Sequence, residues 1–350
     1  MSLVAEGTAP AAARPDAGRR RRRMWLAALF AVLLPGAVAS LFAGSRPMPP
    51  AAVLEALLRY NAQNDLHLII WSLRLPRMCV ALLTGLALGT AGALMQALTR
   101  NPLAEPGLLG INAGAALAVM AGISLFGFVS IWEYVWFGFA GAGLAGLAVF
   151  ALGQAHETGT NPVRLVLAGA GLSVMLGSAS SLLIINSPPE VLDGFRNWAA
   201  GSFEGRSLSV ATVLALATLC GLLIAQVLAP GLNALALGRD TGEALGVNTR
   251  ALFTASCLAI MLLTGAATAA AGPIGFIGLV APHIARSITG PDYRWILPFS
   301  GLIAAILLLV ADVAGRLIAM PAEVAAGIIA SLAGGPFFVA IVRRLRLRQM

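Results

Sequence analysis

Two short segments of the chain carry ionisable residues at spacings that could bind another charged group. Arg74 and Arg77 flank a Leu-Pro pair, and Asp312 lies four residues before Arg316. Guanidinium groups bind carboxylates in a bidentate manner, so the first pair favours a partner-facing site as strongly as it favours contact with lipid headgroups. Residues four apart share one helical face. We therefore interpret Asp312 as the residue that orients Arg316, and Arg316 as a cation on the outer surface.

The remaining ionisable residues exclude most enzymatic chemistry. All 23 basic residues are arginines, so the chain cannot form a P-loop or a Schiff base, which both need lysine. Cys79, Cys220 and Cys257 are isolated in apolar stretches, without metal-binding spacing. We also find no paired carboxylates and no nucleophile motif. We expect no catalytic residue, no metal site, no cofactor bound by this chain and, because the charge lies near its two ends, no nucleic-acid partner.

A polar segment, residues 232–247, separates two long apolar stretches and differs from both in composition. Three of its residues are charged within five positions: Arg239, Asp240 and Glu243. Asp240 or Thr241 could cap a short helix, and Gly246 could end it. Its apolar side chains favour insertion into an apolar cleft over an ordinary solvated loop: Ala234, Leu237, Ala244 and Leu245. We therefore interpret residues 232–247 as the place where a soluble partner docks.

The elements that carry these residues are predicted to be membrane spans. Hydrophobic residues make up 59% of the chain and charged residues 11%, against about 25% charged in soluble domains. A span needs about 20 apolar residues. The candidate spans lie at 24–44, 71–98, 107–125, 132–153, 163–185, 208–229, 250–271, 274–288, 295–318 and 324–342. The chain then divides into a disordered basic N-terminus (1–23), a transmembrane domain (24–344) and a short tail (345–350).

The distribution of arginine predicts the orientation of these spans. Most of the 23 arginines fall in segments that lie inside if both termini are cytoplasmic. This orientation places residues 232–247 in the cytoplasm and Arg74, Arg77 and Arg316 at the opposite surface. Two outer segments, 45–70 and 186–207, are longer than turns. The first should contain a short helix that begins with proline, and both suit a surface facing a soluble partner or headgroups.

Two further segments are broken by proline and glycine. In residues 100–116, Gly110 and Gly114 are predicted to permit close helix packing, and we assign no chemistry to Glu105. Residues 271–286 are expected to break a helix at Gly272-Pro273 and again at Pro282. Irregular backbone at membrane depth occurs only where protein or a cavity covers it, so this segment should either pack against another part of the protein or line a path.

Five motifs, in this order along the chain, resemble the permease subunits of bacterial type II ABC importers, the family for iron-siderophore, haem and cobalamin uptake. They are RLPR (74–77), QALTRNPLAEPGLLGINAGA (96–115), LNALALGRDTGEALGV (232–247), GPIGFIGLVAPHIAR (272–286) and AGIIASLAGGPFFVAIVRR (326–344). Within the family, the second motif and FRNWAAGSFEGR (195–206) are most similar to ferric catecholate-siderophore permeases.

The resemblance implies an all-α polytopic membrane protein with ten transmembrane helices and the type II importer fold, in the bacterial inner membrane. It implies a second permease subunit, identical or homologous, and a cytoplasmic ABC ATPase dimer that binds ATP and Mg. A periplasmic or lipid-anchored substrate-binding protein would deliver a ferric siderophore, with haem or cobalamin as the alternative cargo.

The resemblance also implies roles for particular residues. Carboxylates of the binding protein would dock on Arg74, Arg77 and Arg316. Coupling to the ATPase would involve Leu237, Gly238, Arg239, Asp240, Gly242, Glu243, Ala244, Leu245 and Gly246. The inner gate of the family falls at Asn161, Pro162, Val163 and Arg164, where this chain reads NPVR instead of a hydroxyl-rich turn.

Two functions of other classes remain open on the sequence. An ion-coupled secondary transporter needs a coupling site near the membrane midplane, for which only Asp312 qualifies. An intramembrane enzyme needs paired carboxylates or a nucleophile beside a base, and no such motif is found.

Overall fold

The computed structural model describes residues 15–44, 48–128, 130–153 and 162–347, and these residues are helical, joined by short irregular connections. The helices are α1 (Pro15–Phe42), α2 (Pro50–Leu58), α3 (Asp65–Ile69), α4 (Leu75–Thr99), α5 (Ile111–Phe126), α6 (Ile131–Leu152), α7 (Pro162–Ile185), α8 (Pro189–Ala199), α9 (Leu208–Ala236), α10 (Arg239–Ala244), α11 (Thr249–Ala271), α12 (Ile277–Thr289), α13 (Tyr293–Ile318) and α14 (Ala326–Leu347).

Eight helices of the described residues are long and apolar enough to cross a membrane. Each predicted span corresponds to a helix, but the third and the eighth correspond to shorter ones: α5 has 16 residues and α12 has 13. A 13-residue helix is about 20 Å long, less than the roughly 30 Å of a hydrocarbon core. The prediction of an all-α, multi-pass membrane protein is confirmed.

The first helix begins earlier than the predicted span. Residues 15–23, which we assigned to the disordered N-terminus, form the first turns of α1. Arg22 holds them against the bundle, because its Nε donates to the carbonyl of Thr289 at 3.0 Å and its Nη1 lies 3.4 Å from Asp292 Oδ2. Below it, Leu26 and Leu29 pack against the core. Residues 1–14, also in that assignment, and 348–350 of the predicted tail lie outside the described residues.

Three helices form the centre of the bundle. In the spans that contain α4, α11 and α13, 72% of the most apolar window is buried, against 17% in α7 and 22% in α1. The helix α4 packs against both α13 and α11, while α5 and α6 pack against each other to one side. Because α4 is central, its two ends lie at opposite surfaces of the protein.

Glycines on one face of α4 allow this central helix to touch its neighbours backbone to backbone. A Cβ added to Gly85 would lie 2.3 Å from the Cα of Ala305, and one on Gly89 would lie 2.2 Å from the carbonyl oxygen of Ser300. At Gly92 the Cβ would lie 1.8 Å from the carbonyl oxygen of Gly278. Small residues at such crossings are how membrane helices approach closely.

We expect Gly92→Ala to destabilise the protein severely. The obstacle is the backbone of α12, which cannot rotate away, so the loss should exceed the roughly 1–3 kcal/mol typical of overpacking. The thermal midpoint of the detergent-purified protein measures this. Gly143→Ala is the matched control, since a Cβ there meets no atom within 4 Å. Equal midpoints for the two variants would contradict the close crossing.

The break before α12 is covered by protein, which is the first of the two predicted alternatives. Gly272 has φ +79°, and a Cβ there would lie 1.9 Å from the carbonyl oxygen of Trp198. The amide of Phe276, itself at φ +65°, donates to Glu105 Oε1 at 2.7 Å. The second predicted break is wrong, because Pro282 lies inside a continuous α12. The proline leaves one carbonyl without its helical partner, that of Gly278, and this carbonyl faces the bare backbone of Gly92.

The described parts of the two long segments that we predicted to lie outside, 48–70 and 186–207, fold into short helices and turns. The predicted short helix in 45–70 is α2, with Pro50 in its first turn. In 186–207, however, Trp198 is 1% exposed and Phe203 is fully buried, so they do not face a partner or headgroups. They join the main core, where Trp198 Nε1 donates to the carbonyl of Ala269 at 3.4 Å.

The two glycines of residues 100–116 have different roles. Gly114 is a packing glycine, as predicted, since its Cβ would lie 2.3 Å from that of Ala145. Gly110 is not, because its nearest neighbours would be 3.5 Å away. Its φ of +70° is what requires glycine, at the turn where α5 begins.

Candidate functional site

The polar segment 232–247 is an ordered turn around a short helix. α9 continues to Ala236, so it supplies the first residues of the segment, and α10 follows after Gly238. The N-cap of α10 is Gly238, at φ +122°, and not Asp240 or Thr241 as predicted. Glycine is needed there because the chain reverses in a backbone region closed to other residues. Gly246, at φ +84°, ends the turn as predicted.

Apolar side chains of this segment project away from the protein. Leu237 is 69% exposed and Leu245 63% exposed, and Ala244 is exposed beside them. Of the four apolar residues singled out in the sequence, only Ala234 is partly covered, because α10 lies over it through the buried Gly242. Leu237 and Leu245 are therefore held at the two ends of α10, and no part of the described chain covers them.

Two of the three charged residues of the segment bind each other. Arg239 Nε donates to Glu243 Oε1 at 2.9 Å, and Thr249 Oγ1 donates to the same oxygen at 2.9 Å. These hydrogen bonds, first that from Arg239, lower the pKa of Glu243. The stability that the ionised Glu243 contributes to the fold is fully present above the ordinary pKa of the carboxyl group, and it is lost as pH falls through the lowered pKa. The hydrogen bond from Thr249 to Glu243 joins α10 to the start of α11.

Side chains from two other regions bind the end of α9. Arg100 Nη2 donates to the carbonyl of Leu235 at 2.9 Å, which ties the end of α4 to this segment. Asn233 donates from Nδ2 to Asp292 at 2.7 Å and accepts at Oδ1 from the amide of Tyr293 at 2.8 Å. Residues 232–247 are thus hydrogen-bonded to the end of α4 and the start of α13.

The three predicted docking arginines meet at the other end of α4. We name this group the arginine cluster: Arg74, Arg77 and Arg316 with Asp312 and Glu323. Pro76 has no amide hydrogen, and the backbone around it widens into a π-helical segment, Ile70–Arg74, in which Leu75 donates to the carbonyl of Ile70. This segment places Arg74 and Arg77 beside the ends of α1 and α13.

Asp312 lies at the centre of the arginine cluster. It is fully buried, and its Oδ1 accepts from Arg77 Nε at 2.8 Å. Arg316 Nη2 lies 2.9 Å from Oδ2, an ion pair whose angles fall outside hydrogen-bond geometry. One buried carboxylate therefore orients two arginines, one more than predicted.

Arg316 is not the surface cation we expected. Its side chain is 4% exposed, and Nη1 donates to the carbonyls of Ser40 at 2.9 Å and Ala43 at 2.6 Å. Arg74, also buried, donates to the carbonyl of Leu41. Both guanidinium groups satisfy carbonyls at the end of α1, a use that no sequence pattern revealed.

Arg77 faces a cavity and is held by a second acid. Its side chain is 11% exposed, and Nη1 donates to Glu323, which lies between α13 and α14 and is 21% exposed. The cavity has a volume of about 380 Å³, and the whole cluster except Asp312 lines it, together with Glu204. The three arginines predicted to dock a partner are thus adjacent, and a carboxylate of such a partner would have to compete with Glu323 for Arg77.

The arginine cluster and the segment 232–247 lie at opposite ends of the bundle. The arginine cluster lies at the start of α4, and Arg100, directly after the end of α4, donates to the carbonyl of Leu235 in the segment 232–247. A 25-residue helix is about 37 Å long, so one rigid element separates the two sites.

The predicted inner gate is only partly described. Asn161 lies outside the described residues, and of Pro162 only the backbone is described, as the start of α7. Val163, 61% exposed, and Arg164, also exposed, lie in the first turn of α7.

The sequence predicted no role for three acidic residues that accept hydrogen bonds from distant parts of the chain. They are Glu105, Asp292 and Glu323. Glu105 is fixed by the amide of Phe276, and burial raises its pKa. The free energy that the protonated Glu105 contributes to folding is therefore fully present below the ordinary pKa of the carboxyl group, and it is lost as pH rises through the raised pKa. Glu323 and Asp292 hold the two sites described above. The signal in the sequence is their scarcity, because only 15 of the 350 residues are acidic.

Within the described residues, no group of three or more histidine, cysteine, aspartate or glutamate side chains is placed to hold a metal ion.

Comparison with known proteins identifies the architecture that carries these two sites. The chain is 43% identical to the ferric enterobactin transport system permease protein FepD of Escherichia coli, covering 90% of this chain and 94% of that one. It is 38% identical to the hemin transport system permease protein HmuU of Yersinia pestis, covering 94% and 98%.

A solved structure, described as an inward-facing conformation of a metal-chelate type ABC transporter, superposes with a TM-score of 0.79 at 27% identity and covers 92% of this chain and 99% of its own. The family model for the FecCD transport family matches residues 30–344. The chain therefore belongs to the FecCD transport family and is a multi-pass permease of the type II ABC importer class.

Proposed function

We propose that this chain is the translocation subunit of an ATP-driven importer that carries a ferric siderophore across the bacterial inner membrane. The iron arrives already chelated, so the chain supplies a path and no ligands. ATP and Mg bind a separate cytoplasmic ATPase dimer, and both termini of this chain face the same compartment as that dimer.

The observation that carries the proposal is the pair of exposed leucines on residues 232–247. Leu237 and Leu245 flank α10, whose shape is fixed by Gly238 and Gly246. Exposed apolar side chains on an ordered support mark a protein interface, and the ATPase is the partner that would cover them. The ties from Arg100 and Asn233 then pass the motion of nucleotide-driven closure to α4 and α13.

The arginine cluster at the opposite end supports docking of a substrate-binding protein. A cavity lined by three arginines suits the carboxylates of a soluble partner. Its separation from the ATPase site by the length of α4 is what a transporter that is loaded on one side and driven from the other needs.

The face of α7 supports a second permease subunit around a central path. Ser178 and Ser181 are exposed, and a Cβ on Gly171 or Gly177 would meet no atom within 4 Å. Small and hydroxyl-bearing residues on a span suit another helix or a water-filled path better than lipid. The second subunit is identical to this one or homologous to it.

A siderophore is the proposed cargo because the chain is more similar to FepD, at 43% identity, than to HmuU, at 38%. Haem or cobalamin, carried by a permease of the same family, is the second candidate, and the likeness to HmuU favours haem. An ion-coupled transporter is less well supported, because Asp312, the acid it would use, is already bound by Arg77 and Arg316.

Reconstitution tests the proposal directly. In liposomes, the chain alone should not take up a ferric siderophore, with or without a proton gradient. Uptake should appear when an ABC ATPase, the binding protein and ATP are added, and an ATPase with its catalytic glutamate replaced should abolish it. Uptake by the chain alone on an ion gradient would overturn the assignment.

Glu323→Gln should strengthen docking of the binding protein. The change removes the charged partner of Arg77 Nη1, while Asp312 still holds Nε, and it removes a negative charge that repels an incoming carboxylate. The affinity should therefore rise roughly three- to tenfold at low salt and less at high salt. Binding of the isolated binding protein to nanodisc-held complex measures this. Glu55→Gln, an exposed acid on α2, is the control and should change nothing. Unchanged affinity in both variants would argue against docking on Arg77.

A further inference from the structure

The run of arginines at the start of α1 divides into two sets that face different ways. Arg21 and Arg22 turn inward, donating to the carbonyls of Ile288 and Thr289. Arg22 also lies over the ring of Trp295, 5.8 Å from its centroid. These contacts fix the rotation of α1 about its axis.

The other set faces away from the bundle. Arg19, Arg20 and Arg23 are exposed on this side of α1. With Met24 and Ala27 they line a recess of about 480 Å³. The apolar side chains that follow on α1 remain exposed, with Met24 at 63%, Phe30 at 43% and Leu34 at 62%.

We propose that this face of α1 binds an anionic phospholipid, with the headgroup phosphate on Arg19, Arg20 and Arg23 and the acyl chains along Met24, Ala27 and Phe30. Helical periodicity places the arginines directly in line with the apolar residues. A soluble anion would use the charges but leave the apolar side chains uncovered, whereas a phospholipid matches both. The site does not depend on the cargo of the transporter.

The bound lipid would also act on residues 232–247. Fixing α1 stabilises the bond of Arg22 to Asp292, and Asp292 accepts in turn from Asn233 near the end of α9. An anionic leaflet would therefore stiffen the support on which α10 rests.

Native mass spectrometry of the full-length, detergent-purified protein tests the site with phosphatidylglycerol and phosphatidylcholine as probes. The double variant Arg19→Gln with Arg23→Gln should bind the first phosphatidylglycerol about thirtyfold more weakly, at about 1 kcal/mol for each arginine near an anionic surface. Phosphatidylcholine binding should be unaffected. The matched control, Arg250→Gln with Arg294→Gln, removes two other exposed arginines and should stay within twofold of the unaltered protein.

Three results would overturn the inference. These are equal losses in the two double variants, equally tight binding of both lipids by the unaltered protein, and displacement of phosphatidylglycerol by millimolar inorganic phosphate, which would indicate a site for soluble anions. Matching thermal midpoints show that the variants remain folded, so a loss of lipid is read as a loss of the site.

Discussion

Asp312→Asn should destabilise the folded protein by about 3–5 kcal/mol, the range seen when one partner of a buried ion pair is removed. The substitution keeps the shape of the side chain but removes the one buried charge shared by Arg77 and Arg316. Glu323 is partly exposed and holds only Arg77, so Arg316 would lose its one carboxylate partner among the described residues. The thermal midpoint and the yield of monodisperse protein in detergent measure the loss.

Two further variants show whether charge is the cause. Adding Arg316→Gln to Asp312→Asn should recover part of the stability, because it removes the charge left without a partner. Asp193→Asn, at a pair with Arg196 that is more than 70% exposed, should cost under about 1 kcal/mol. A mild effect of Asp312→Asn alone would show that the arginine cluster does not depend on its buried acid.

Replacing Leu237 and Leu245 with serine should abolish stable assembly with the ATPase and leave the permease folded. Burying a leucine stabilises an interface by about 1.5–3 kcal/mol, so losing two should weaken binding at least about a hundredfold. Neither leucine is buried in this chain, so the thermal midpoint of the isolated permease should not change. Co-purification with a tagged ATPase, followed by ATP-dependent uptake, measures the effect.

Leu58→Ser is the control for these variants. This leucine is 81% exposed at the end of α2, near the arginine cluster. Its loss should change neither assembly nor uptake if the surface around α10 is the docking site. Assembly that survives the double leucine change would remove the observation on which the proposed function depends.

Composition and apolar length predicted much of the fold. Hydropathy alone placed an α-helix at each predicted span, because lipid requires every backbone group to be bonded within its own segment. Glycine and proline signals predicted the end of the α10 turn at Gly246 and the break at Gly272-Pro273. These features are local, so a single window of sequence contains them.

Features that depend on distant residues were not predictable. Arg77 and Asp312 are 235 positions apart, and the burial of Arg316 depends on two carbonyls at the end of α1. Trp198 has charged neighbours in the sequence, which indicated a surface position, yet a different helix supplies its surroundings. The start of α1 at Pro15 depends on Thr289 and Asp292, which the local composition of the N-terminus does not reveal.

The position of α4 has a mechanical consequence. Its first turn carries Arg77 and the residue after its last turn carries Arg100, while its glycine face presses directly on the backbones of α12 and α13. A stiff rod held at its middle is a lever. In the proposed importer, a tilt forced at the end that carries Arg100 would displace Arg77 at the other end in the opposite sense, so ATP-driven closure and release of the proposed binding protein would be one movement with no relay between them.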